Sequence, residues 1–173
     1  QKMRKPPPLM FEEIQKIYTQ RWVALLLETM GFINEKLGMQ AVGEFQNRLA
    51  SHTAPVFKET QIPKVQDGAL KFALICGILD KNLYGSEIEI PVDGDDKAVL
   101  EIKKCALLIP IEEFQKKGLP VTREIFCFAC QSYLSLLADK LELNLEGELK
   151  EKGCKLSINS RKKIEKTIEE EGI

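Results

Sequence analysis

Residues 84–105 read YGSEIEIPVDGDDKAVLEIKKC, and this stretch decides the fold class. Ile88, Ile90 and Val92 alternate with Glu87 and Glu89, the period-two pattern of a half-buried strand. Asp93-Gly94-Asp95-Asp96 is a turn signal, and Ala98 to Ala106 resumes the extended pattern, so the stretch predicts a β-hairpin. A second hairpin follows downstream. There Leu141, Leu143 and Leu145 alternate with Glu142, Asn144 and Glu146, Lys152-Gly153 turns the chain, and Cys154, Leu156 and Ile158 alternate with Lys155 and Ser157. Strands that arrive as hairpins make an antiparallel sheet, which needs helices to cover its apolar face.

The flanking sequence supplies those helices. Upstream, Phe11, Ile14, Tyr18, Trp22, Leu25 and Leu26 recur at three- and four-residue steps, the mark of an amphipathic helix that reaches Gly31 or beyond. A second pattern runs from Met39 through Val42, Phe45 and Leu49 and is expected to end at Pro55. A third, from Val65 to Leu83, is apolar on most sides and should be central. Between the hairpins, Ile109 to Gln115 predicts a short helix closed by Gly118 and Pro120, and Thr122 opens a longer one. The prediction is an α+β fold, N-terminal helices packed with a small antiparallel sheet of two hairpins. The expected layout is a flexible leader over 1–8, one domain over 9–160 with its helical half at 9–83 and the sheet and long helix at 84–160, and a charged helix or tail over 161–173.

Composition narrows the function. A length of 173 residues fits one domain. The 25 basic and 26 acidic side chains nearly cancel, so the broad positive field that drives phosphate-backbone binding is missing and nucleic acid is not an expected partner. The longest apolar runs, Phe72 to Leu79 and Val23 to Leu27, fall short of the roughly 20 residues a bilayer-spanning helix needs. The N-terminal stretch shows no secretory pattern, and the odd count of five cysteines argues for reduced thiols, so a cytoplasmic location is expected. No glycine-rich phosphate loop is present in the sequence, which disfavours nucleotide chemistry.

Cys127-Phe128-Ala129-Cys130 is the sharpest chemical motif. A C-x-x-C pair brings two soft thiols close enough for one zinc ion, and Cys105 and Cys154, at strand ends, are the candidates to complete a four-ligand metal site. The alternative is a pair of buried core thiols, which is also the reading for Cys76 inside the most apolar helix. His52 is the only histidine and sits near a proline, where capping or solvation suits it better than catalysis. Glu124 lies one helical turn before Cys127 and fits a helix N-terminus. Phe72, Ile75, Phe128 and Tyr133, placed by helix periodicity, are the candidate lining of an apolar ligand pocket. The first helix is apolar over more than one face, since Phe11, Trp22, Leu25 and Leu26 are joined by Met30, Phe32 and Ile33, and a homodimer is therefore expected.

Cys127-Phe-Ala-Cys-Gln-Ser-Tyr133, a long helix and then Leu145-Glu-Gly-Glu-Leu-Lys-Glu-Lys-Gly153-Cys154-Lys-Leu-Ser-Ile158 resemble the C-terminal portion of the 4-vinyl reductase domain family. That resemblance implies an α+β fold akin to small TRAPP-type trafficking subunits, a dimeric sensor module for small hydrophobic molecules, and in some members a zinc ion held by cysteines and a glutamate. A rival resemblance is to the aminothiazoline carboxylate hydrolase family, through Glu101-Ile-Lys-Lys-Cys105 and a later cysteine before the last strand. It implies a thiol-dependent hydrolase.

Overall fold

The computed structural model describes residues 9–66, 68–91 and 96–161, so the expected leader, the Asp93-Gly94-Asp95 turn and all but the first residue of the charged tail lie outside the described residues. Five α-helices and four strands follow in the order α1 (Phe11–Leu37), α2 (Met39–Glu59), α3 (Ala69–Leu79), a π-helical turn (Asp80–Tyr84), β1 (Glu87–Glu89), β2 (Lys97–Lys104), α4 (Leu108–Lys116), α5 (Arg123–Lys140), β3 (Leu143–Leu149) and β4 (Cys154–Ser160). The strands form one antiparallel sheet in the order β1-β2-β4-β3. Both hairpins are present, joined through the β2–β4 ladder, and the fold is α+β.

Alternation in β2 explains how the sheet meets the helices. Ala98, Leu100 and Ile102 are buried with Leu156 and Ile158 from β4, while Lys97 and Lys103 point to the other face. That outer face carries the ion pairs of Lys103 with Glu89 and Glu101, and Lys104 pairs with Glu87 at the end of the β1–β2 ladder. The inner face packs on α3 and α5, with Phe72, Leu137 and Ala138 in the same buried cluster as Leu100 and Leu156. Gly77 is where α3 comes closest. A Cβ there would lie 2.8 Å from a methyl of Ile88 and 2.9 Å from one of Ile90.

Three helix boundaries, on two helices, differ from the expectation. α2 runs through Pro55 to Glu59. The missing N–H and the ring clash cost a helix about 3 kcal/mol, but Ala54 and Phe57 are buried on either side of the proline, and the Phe57 ring sits 5.5 Å from that of Phe72. Core packing carries the helix across. The third helix begins at Ala69 instead of Val65, directly after Gly68, and its α-geometry stops at Leu79. Asp80 to Tyr84 then widen into a π turn that ends at Gly85, whose φ of 84° lies in the left-handed region.

A second buried cluster, Val23, Leu107, Leu108, Ile111, Val121 and Phe126, joins α1 to α4 and the start of α5. Cys105 packs against both clusters and marks the seam between them.

Leu100 is fully buried at the centre of the main cluster. Its replacement by alanine is expected to lower stability by about 2–5 kcal/mol, seen as a lower urea midpoint with an unchanged slope.

Candidate functional site

The π turn sets the site. A π-helical bulge leaves carbonyls out of the regular ladder, and those groups need outside partners. Gln15 on α1 donates its Nε2 to the carbonyls of Lys81 at 3.2 Å and Asn82 at 2.9 Å, and Thr19, buried on the same helix, donates to the carbonyl of Tyr84 at 3.4 Å. The Tyr84 ring stacks on Tyr18 with centroids 6.1 Å apart. The turn is thus clamped by the inner face of α1.

Asp80 opens this turn. Burial pushes its carboxyl up to about 7, against the pull of a hydrogen bond with the Ser86 hydroxyl. Ser86 is itself buried, its N–H bonds the Asp80 carbonyl at 3.0 Å, and its Oγ accepts the N–H of Ala106 at 3.0 Å. Asp80 is in this way tied to the end of β2, beside Cys105.

All five cysteines are free thiols, and four of them feel the charge of this carboxyl. The Asp80 charge raises the thiols of Cys76, Cys105, Cys130 and Cys154, in each case second to the larger effect of burial. Cys105 reaches about 12 and Cys154 about 11. The thiols also act on one another: Cys130 feels Cys105, Cys154 and Cys127, and Cys105 feels Cys154 and Cys127. Backbone geometry explains the grouping. Cys154 begins β4 opposite Ile102, the Cys105 N–H bonds the Lys152 carbonyl at 2.8 Å in the same corner of the sheet, and α5 enters over that corner.

The entry of α5 is fixed by Thr122 and Arg123. Thr122 Oγ1 accepts the Ile125 N–H at 3.2 Å as an N-cap. The Arg123 guanidinium donates to the carbonyls of Lys150 and Gly153 in the β3–β4 turn. This contact brings Cys127, one turn along α5, to the same region. Cys127 is the least shifted of the five thiols in cause and setting: burial raises it, and the adjacent Arg123 charge works against that rise. Gly153 in that turn has no room for a side chain, since a Cβ would fall 1.8 Å from the Ile102 carbonyl oxygen.

The four candidate metal ligands, Cys105, Cys127, Cys130 and Cys154, therefore share one neighbourhood. Among the described residues, however, no three His, Cys, Asp or Glu side chains stand in an arrangement that holds an ion. The donor chemistry suits a soft ion; closing on one requires the side chains to move. Glu124 is exposed, and its carboxyl is held low by the backbone N–H at the start of α5 and by the Thr122 side chain, the capping role. His52 is exposed on α2.

The pocket-lining candidates separate. Phe72 and Ile75 are buried in the main cluster, and Tyr133, packed against it, donates its hydroxyl to Thr53 at 3.1 Å. Phe128 is 76 % exposed on the outside of α5. Phe72 lines a cavity of about 50 Å³ with Phe57, Lys58, Lys71, Leu141 and Leu143, far below the ~300–1,000 Å³ of common ligand pockets. Asp80 is the site residue that periodicity does not reveal, because a single acid closing an apolar run looks like a helix end meeting solvent. Cys76 also belongs to the site, through its proximity to Asp80.

Reactivity should follow this electrostatic order. Limited alkylation with iodoacetamide, read by peptide mass spectrometry, is expected to modify Cys127 first and Cys76 and Cys130 last, since burial and the Asp80 charge hold the latter two protonated. A pH dependence follows as well. The folded chain holds the Asp80 proton up to about 7, whereas an unfolded aspartate releases it near 3.9. The native state thus carries the extra proton between those values, and stability is expected to fall as pH rises through that window. Urea unfolding of metal-free protein between about pH 5 and pH 8 should show this decline, and Asp80→Asn should flatten it.

The chain matches no protein-family model and no curated protein.

Proposed function

We propose that this protein is a small-molecule-binding or sensor module of the kind its sequence resembles, the 4-vinyl reductase family, in which the thiol cluster holds a structural zinc ion and the working unit is a homodimer in the cytoplasm. The observation that supports this most is that four cysteines, from α3, the end of β2, α5 and β4, lie within reach of the charge of one desolvated carboxyl, with Cys127 beside three of them. Buried cysteines are common, but plain packing has no need to draw them from such distant parts of the sequence to one acid. Four of the five, Cys105, Cys127, Cys130 and Cys154, would hold zinc, which favours tetrahedral thiolate sets and removes the protons that burial otherwise retains. The apolar ligand would be taken up beside Phe72, Ile75 and Tyr133 by expansion of the small cavity in the main cluster.

The thiol-hydrolase reading has one observation in its favour, the Arg123 cation beside Cys127, the setting in which a thiolate nucleophile is made. The two readings part on metal and on reactivity. Zinc titration of the reduced protein under argon, followed by native mass spectrometry and thiol counting, is expected to show one zinc per chain and protection of four thiols, with Cys76→Ser leaving the zinc stoichiometry unchanged. No zinc uptake, together with one cysteine alkylated far faster than free thiol at neutral pH, would replace the sensor reading by the hydrolase.

A further inference from the structure

α1 carries two apolar faces, and only one of them is used inside the subunit. Thr19 and Val23 are buried on the inner side, against the π turn and the second cluster. On the opposite side Ile14, Ile17, Arg21, Leu25, Glu28 and Phe32 fall within an arc of about 80° of the helix circumference, and all six are exposed. Leu25 is 59 % and Phe32 62 % exposed, and the first half of the face, from Ile14 to Leu25, lines an open groove of about 430 Å³. Single exposed hydrophobes need no explanation, but a continuous stripe along one helix face marks an interaction surface.

The two charges in the stripe identify its occupant. Neither Arg21 nor Glu28 makes an ion pair among the described residues. They lie seven residues apart, two turns of helix, in an otherwise apolar line. We propose that α1 packs antiparallel against α1 of a second copy, with the two-fold axis passing between Ala24 and Leu25. That placement sets Arg21 against Glu28 of the second copy, and Glu28 against Arg21 of the second copy, so a single symmetry operation satisfies both charges twice. It also sets Ile17 against Phe32 of the second copy and Ala24 against Leu25 of the second copy. The seam from Ile17 to Phe32 is roughly 22 Å long at 1.5 Å per residue. A small residue facing a large one at the axis lets the helices approach to the 8–10 Å usual for packed pairs. The pattern is self-complementary, as an isologous interface must be, whereas an unrelated partner helix gains nothing from the Arg21-to-Glu28 spacing.

This inference rests on the homodimeric reading above and adds its surface and register. Charge reversal with rescue tests it. Wild-type protein, Arg21→Glu, Glu28→Arg and the double swap are compared by analytical ultracentrifugation across a dilution series at low salt. Both sites are exposed on a helix, so the fold is expected to tolerate each change, and circular dichroism with the urea midpoint verifies that it does. Each single reversal puts like charges together at two places and is expected to weaken dimerisation at least about tenfold; the double swap should restore it to within about threefold of wild type. A wild-type chain that stays monomeric at high micromolar concentration overturns both the homodimer and the seam. A wild-type dimer indifferent to the single reversals keeps the homodimer and overturns the seam, leaving the stripe to another segment of the chain or another partner.

Discussion

A carboxyl largely withdrawn from water at the end of the most apolar helix is the constraint on which the rest of this structure turns. Desolvating Asp80 is unfavourable for its charged form, and two features limit the cost: the hydroxyl of Ser86 and a proton retained up to about pH 7. Ser86 can bond the carboxyl only because the backbone widens into a π turn directly after Leu79, which brings the Ser86 N–H back to the Asp80 carbonyl. The same serine accepts the Ala106 N–H and so fixes where β2 stops and Cys105 begins. The carbonyls freed by the turn are covered by Gln15 and Thr19, which fixes where α1 lies. Losing Asp80 or Ser86 therefore disturbs three elements through a few bonds, each worth only about 0.5–1.5 kcal/mol net.

The thiols follow from that frame. Sheet register places Cys154 opposite Ile102, and the tight β3–β4 turn, with Gly153 pressed on the Ile102 carbonyl, leaves the start of β4 no freedom to shift. Arg123 bonds that same turn from above, so α5 cannot swing its two cysteines away without leaving the guanidinium's carbonyl partners unmade. Gln46 on α2 holds the far side of α5 by donating to the Ala129 carbonyl at 3.0 Å. The cluster is thus held by backbone and side-chain bonds outside it, a setting in which the sulfurs need make no bond with each other to stay together.

What the sequence shows and conceals has a physical pattern. Both hairpins are legible because Leu100 and Ile102, or Leu156 and Ile158, sit on a sheet with one wet face, where burial enforces strict alternation. The α-helical half is legible as helix, but its ends are not: Pro55 looks like a stop because local geometry is penalised, while the burial of Ala54 and Phe57, which outweighs the penalty, depends on residues such as Phe72 that are distant in sequence. The π turn has no periodic signature in five residues. Cys127 and Cys130 announce themselves by spacing and Cys76 sits one helical turn before Asp80, whereas the approach of Cys105 and Cys154 to Asp80 depends on strand register that only the folded chain reveals.

α1 is the element that joins the interior to the outer surface. Its inner face holds the π turn through Gln15 and Thr19, and its outer face presents the Arg21 and Glu28 stripe. The thiol site can influence what binds that stripe by two routes, those bonds at the π turn and the second cluster, where Val23 of α1 packs with the residues that Cys105 and Cys127 also touch. Coupling between two sites cannot exceed the difference in free energy that the connecting contacts feel between the two states. The two or three bonds at the π turn, at about 1 kcal/mol each, contribute near 2–3 kcal/mol to that limit, which is 30- to 150-fold in an equilibrium constant, and the packing of Val23 in the second cluster adds to it. A helix tied more firmly to the core would transmit more but would be less able to shift, and α1 is held both by the polar bonds at the π turn and by the packing of Val23, Trp22 and Leu27.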